Sequence, residues 1–118
     1  MIHQSGKSKL NVKPAHKRSM MRNQVLSLIT YGYVVSTKAR VKETRRLAEK
    51  LVTIAREGNT FNVRRRVKAM LPYKEEAVIK LLLEIAPKYQ GRPGGYTRII
   101  SMGQRPSDTA HVARLEWV

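Results

Sequence analysis

The chain has 118 residues, no cysteine, and 24 lysines and arginines against 8 acids, for a formal charge of +16. That length fits one domain with a modest core, and 42% apolar content argues for a folded unit rather than a disordered tail. Disulfides and thiolate metal sites are excluded, no apolar run approaches the ~20 residues of a spanning helix, and the excess of cations demands an anionic partner.

In chain order, Met1 to Lys13 is polar and basic with only Leu10 and Val12 as larger apolar residues after Ile2, so an extension (1–13) is expected ahead of a folded domain (14–118). It carries cations but no apolar segment behind them, unlike a secretory signal, and a cytoplasmic location is expected. Pro14 suits the first turn of a helix, and Met21, Val25, Leu28 and Ile29 recur at helical spacing until Gly32. Tyr33 to Thr37 is β-prone. A second helix is predicted over about Lys38 to Glu57, with Thr44, Leu47, Ala48, Leu51, Ile54 and Ala55 inward. Val63, Val67, Met70 and Leu71 form the stripe of a third helix, stopped by Pro72. A fourth is predicted from Lys74 to Ala86 and closed by Pro87. Tyr96 to Met102 is β-prone, Gly103 to Asp108 carries turn residues, and His111 to Val118 alternates, with Ala113, Leu115 and Trp117 on one side. The expected fold is α+β: a two-layer domain of four helices and a small three-stranded sheet.

Charge is unevenly distributed. Met1 to Lys42 holds nine basic residues and no acid. Isolated helices favour acids in the first turn and cations in the last. The fourth helix obeys, with Glu75 and Glu76 leading and Lys80 following. The first opens instead with Lys17 and Arg18 behind Lys13, and the second with Lys38, Arg40 and Lys42. Cations on the positive end of the backbone dipole become favourable when a phosphate sits there, meeting both the N–H groups and the side chains. The bland alternative is a solvated set of lysines and arginines.

Other signals are weaker. On the third helix, Arg64, Arg65 and Lys68 form either a solvated face or a second nucleic-acid contact. Around Gly94-Gly95-Tyr96-Thr97-Arg98, Tyr96 either stacks on a base or sits half in the core, and Arg98 can fork onto a phosphate. His3, His16 and His111 lie far apart, which argues against a metal site. No nucleophile motif is present, and Glu43 and Glu49 read as helix ion pairs with Arg45 and Arg46. DNA binding through the third helix and RNA-directed catalysis are the alternative readings.

Three blocks carry a family resemblance: Gly6 to Asn11 with His16 to Asn23; Ser36 to Arg46 continuing through Glu49 to Leu51–Ala55; and Gly94 to Ile99 with the ending Leu115-Glu116-Trp117-Val118. In that order they resemble the seventeenth protein of the bacterial large ribosomal subunit, the L-seventeen family. Departures fall at Ile2, Tyr31-Gly32, Pro106-Ser107-Asp108 and Trp117. The resemblance implies an α-β-α-α-α-β-β order, attachment to large-subunit ribosomal RNA near the peptide exit tunnel beside other ribosomal proteins, and no catalysis. No cofactor, membrane or small-molecule substrate is expected. Carried over by motif, Lys7, Lys9, His16, Arg18, Arg22, Asn23, Lys38, Lys42, Arg46, Arg92, Tyr96 and Arg98 are RNA-contact candidates. They join Lys13, Lys17, Arg40, Arg64, Arg65 and Lys68 from the charge pattern.

Overall fold

A computed structural model describes Leu10, residues 12–72 and residues 74–118. Of the expected extension, only Leu10, Val12 and Lys13 fall within them; Lys7 and Lys9 lie outside the described residues. Helix α1 (Pro14–Tyr31) starts at the proline and ends on Gly32, whose φ of 86° is the left-handed cap that lets its N–H reach the Leu28 carbonyl. Strand β1 (Tyr33–Thr37) runs directly into α2 (Lys38–Ala55), followed by α3 (Phe61–Met70) and α4 (Glu75–Lys80). Strands β2 (Thr97–Gln104) and β3 (His111–Trp117) complete the order.

The sheet is antiparallel with order β1-β3-β2, so the last strand lies in the middle. His111 begins this central strand. Alternation along β3 points Ala113 and Leu115, both fully buried, at the helices. There they join Val25, Leu28 and Ile29 of α1, Val41, Ala48, Leu51 and Val52 of α2, and Val63 and Val67 of α3 in one core. The four helices and this sheet make the mixed α+β domain that the periodicity predicts.

Two boundaries differ from expectation, each for a backbone reason. The fourth helix does not stop before Pro87. It widens into a π turn (Leu81–Ile85), in which the Ala86 N–H bonds the Leu81 carbonyl, and tightens into a 3-10 turn (Ala86–Tyr89). Proline has no N–H for an α-helical bond and its ring crowds the carbonyl four residues back, so the chain changes pitch to carry it. Strand β2 also runs past Met102: the register slips between Ser101 and Gln104 around Gly103, whose φ is 83°. Gly103 is thus part of a bulge, and the turn proper is 105–110. That turn is closed by Arg105 N–H to the Ala110 carbonyl at 2.8 Å and by Arg105 donating to both Asp108 oxygens at 2.9 and 2.6 Å.

The carboxy-terminal strand is locked down by aromatic side chains. Tyr89 and Tyr96 rings lie 5.2 Å apart, and the Tyr89 ring is 6.4 Å from Trp117. The Tyr89 hydroxyl donates to the Val118 carbonyl at 2.9 Å, and the Trp117 indole N–H to the Leu28 carbonyl at 3.1 Å.

Candidate nucleic-acid interface

On α2, Lys38, Lys42, Arg45, Arg46 and Glu49 recur at i, i+4, i+7, i+8 and i+11, which places them on one stripe beside the buried one. Three clefts open along it. The first, about 490 Å³, is lined by Thr37, Lys38, Ala39, Lys42, Glu43 and Arg46 of the β1–α2 junction and by Ala110 and His111 at the start of β3. The second, also about 490 Å³, lies between Lys42, Arg45, Arg46 and Glu49 on α2 and Ile99 on β2. The third, about 450 Å³, joins the start of α1 to α2 and the end of α3. Arg46 lines all three. It is the hub of a continuous cationic face.

Of the sequence candidates, the fold gathers Lys17, Arg18 and Arg22 of α1 with Lys38, Lys42 and Arg46 of α2 around these clefts. A separate cleft on α3 brings Arg64, Arg65 and Lys68 around the exposed Phe61, with the Arg65 guanidinium 6.0 Å from its ring. Lys13, His16, Asn23, Arg40, Arg92 and Arg98 are exposed but line none of these four clefts. Lys17 is half-buried and pairs with Glu43 at 3.5 Å, Lys68 pairs with Glu75 at 2.7 Å, and Arg98 with Glu116 at 3.4 Å. Each of those three cations already faces an acid within the chain.

Tyr96 requires a correction. Its side chain is 0% exposed, with the ring in the core and the hydroxyl donating to the Arg92 carbonyl at 3.0 Å. A ring so enclosed has no face for a base, and its role is to seat the loop before β2. The Arg92 carbonyl also accepts from Arg56, whose guanidinium lies 5.9 Å from the Tyr96 ring, so Arg92 holds the loop through its backbone.

Glu49 is the residue whose role the sequence hid. Far from being only a helix ion pair, its carboxylate takes 2.8 Å from Arg45 and accepts from the Gly95 N–H at 3.0 Å, the Tyr96 N–H at 3.3 Å and the Thr97 hydroxyl at 3.1 Å. One side chain thereby ties α2 to the entry of β2. Partial burial pushes its carboxyl up, but the bonds from Arg45 and Thr97, the Arg45 charge and the Tyr96 N–H together outweigh that and leave it below its ordinary value. Apart from Arg45, its partners lie 46 to 48 residues away, beyond any helical spacing rule. His111 was missed as a cleft residue for the same reason: only sheet pairing brings the start of β3 against the start of α2.

Both helix starts on this face lack a local cap, although Glu43 of α2 pairs with Lys17 of α1. The residues before α1 and α2, Lys13 and Thr37, make no side-chain cap, and neither first turn contains an acid. Backbone donors and side-chain cations there point toward the same anion chemistry. Among the described residues, no helix is long and apolar enough to cross a membrane.

The family description "Ribosomal protein L17" matches residues 20–118. The chain is 46% identical over 110 residues to the large ribosomal subunit protein bL17 of Alkaliphilus metalliredigens, covering 93% of this chain and 96% of that protein. It is 45% identical over 115 residues to bL17 of Clostridium acetobutylicum, covering 97% and 98% respectively. With bL17 of Elusimicrobium minutum it shares 39% over 118 residues, covering 100% and 99%. These relatives are named as large ribosomal subunit proteins. The chain belongs to the ribosomal protein L17 family, and it is not an enzyme.

Proposed function

We propose that this chain is a structural constituent of the large ribosomal subunit that binds and stabilises folded ribosomal RNA through the Arg46-centred face. The observation that carries the reading is the convergence of cations from two helices on three adjoining clefts, at two helix starts that the protein leaves uncapped and without acids. Phosphates brought close by RNA folding repel one another, and this face neutralises them with fixed charge and backbone donors. Arg64, Arg65 and Lys68 form a second contact on α3, and Lys7 and Lys9, which lie outside the described residues, add cations to the RNA contact. Arg98, on a strand that leaves it 60% exposed, adds a peripheral contact.

The relatives are named as large-subunit proteins, which supports ribosomal RNA and neighbouring ribosomal proteins as partners and a cytoplasmic, ribosome-bound location. A place near the peptide exit tunnel rests on the resemblance of the three sequence blocks. The test is binding of large-subunit ribosomal RNA by the double variant Lys38→Glu/Lys42→Glu, alongside its thermal stability. Weakened binding with an intact fold is expected; unchanged affinity would refute the reading.

A further inference from the structure

The three clefts of the cationic face are not alike. Around the one at the start of α2, the only apolar side chains are Ala39 and Ala110. The cleft joining α1, α2 and α3 has instead a floor of Met21, Leu47 and Met70. Met21 is buried, with the Thr44 hydroxyl 3.4 Å from its sulfur; Leu47 and Met70 are half-buried and lie against the core. Above that floor stand Lys17, Arg18, Arg22 and Arg46. Glu43 shares the wall and is paired with Lys17.

A phosphate has no use for a thioether floor, and an apolar peptide side chain has no use for four cations around it. An unpaired nucleotide has one apolar π-face and one anionic linkage on each side, and so matches both parts of the cleft at once. Methionine sulfur makes favourable contact with aromatic rings, and its flexible chain adapts to any base. The buried Tyr96 supplies no stacking surface, and among the described residues no aromatic ring lines the cleft joining α1, α2 and α3, whereas His111 lines the one at the start of α2. We propose that the Met21/Leu47/Met70 cleft receives the base of one unpaired RNA nucleotide, whose flanking phosphates lie on the Lys17, Arg18, Arg22 and Arg46 rim. This rests on the RNA-binding reading above and adds the kind of RNA element that the face selects.

The experiment uses the full chain and three short RNA hairpins of the same sequence: fully paired, with a single bulged 2-aminopurine, and with an abasic site at the bulge. Affinity is read by anisotropy at low salt, and base extrusion by 2-aminopurine fluorescence. The expected result is tighter binding of the bulged base than of the abasic bulge, by about threefold to tenfold for a base–methionine contact, with fluorescence rising on binding. Met70→Gln, close in shape, should remove that preference, and Met70→Leu should restore it. The hairpin comparison needs no variant, so it stands even where a substitution disturbs folding. Equal affinity for all three hairpins would overturn the cleft assignment while leaving the RNA-binding reading intact. Failure to bind any hairpin, or large-subunit ribosomal RNA, would overturn both.

Discussion

The four helices begin in two different ways. At α3 and α4 the protein satisfies its own backbone: the Thr60 side chain accepts from the Val63 N–H at 3.3 Å, and α4 opens with Glu75 and Glu76, the former paired with Lys68. At α1 and α2 it does neither, and stacks Lys17, Arg18, Lys38 and Lys42 where the dipole is already positive. The first pair of starts is finished within the chain. The second pair has no cap and no first-turn acid of its own, and Glu43 reaches Lys17 from the neighbouring helix. Under the RNA-binding proposal, these two neighbouring helix starts, flanking shared clefts, are where the partner bears its charge.

The largest effect that can break this contrast is on binding. Lys38→Glu with Lys42→Glu should weaken association with large-subunit ribosomal RNA by roughly tenfold or more near 100 mM salt and flatten its salt dependence. The same reversal applied at Lys74 and Lys80, outside the three clefts, should change affinity far less in the same titration. Next comes Glu49, which serves the fold rather than the partner. Glu49→Ala strands the Gly95 and Tyr96 N–H groups and the Thr97 hydroxyl, and should cost about 1–3 kcal/mol in denaturant melts. Its pH signature has a definite sign. The folded carboxyl lies below its ordinary value of 4.5, so its contribution is fully present above that pH and is lost as pH falls through the lower folded value. Glu49→Gln should lose that part of the acid sensitivity, which stability curves measured between pH 6 and pH 3 would display.

Smaller effects sharpen the comparison of helix starts themselves. Thr60→Ala removes a working cap and should destabilise by about 1 kcal/mol. Lys38→Glu places an acid where the α2 dipole favours one, and should leave the free fold no less stable, with a gain of about 0.3–1 kcal/mol at low salt. Opposite signs at α3 and α2 are the result to look for in calorimetry. A loss of stability on reversing Lys38 would mean that its charge is satisfied within the protein.

Much of this was legible in the chain, because local rules acted locally. Pro14 and Gly32 bracket α1, the stripe Val63/Val67/Met70 lies on α3, and alternation in His111–Trp117 put Ala113 and Leu115 in the core. The inverted charge at two helix starts was also visible, since it needs only sequence position and a helix. What was not legible depends on tertiary proximity. Periodicity has no signal for the π turn that carries the chain through Pro87, because the residues read as helix on either account. Tyr96 had two readings, and only its neighbours Tyr89 and Arg92 decide for the core. Glu49 looked like one more partner for Arg45 because its three other donors arrive from the far end of the chain. The clefts belong to the same class: Arg46 becomes central only when α1, α3 and the sheet close around α2.

The most direct test is lysine footprinting of the free chain and of the chain within assembled large subunits, followed by mass spectrometry. Lys38 and Lys42 should be modified readily in the free protein and strongly protected in the particle, with protection lost when the RNA is digested by ribonuclease. Equal modification of both lysines in the free and assembled states would contradict the account.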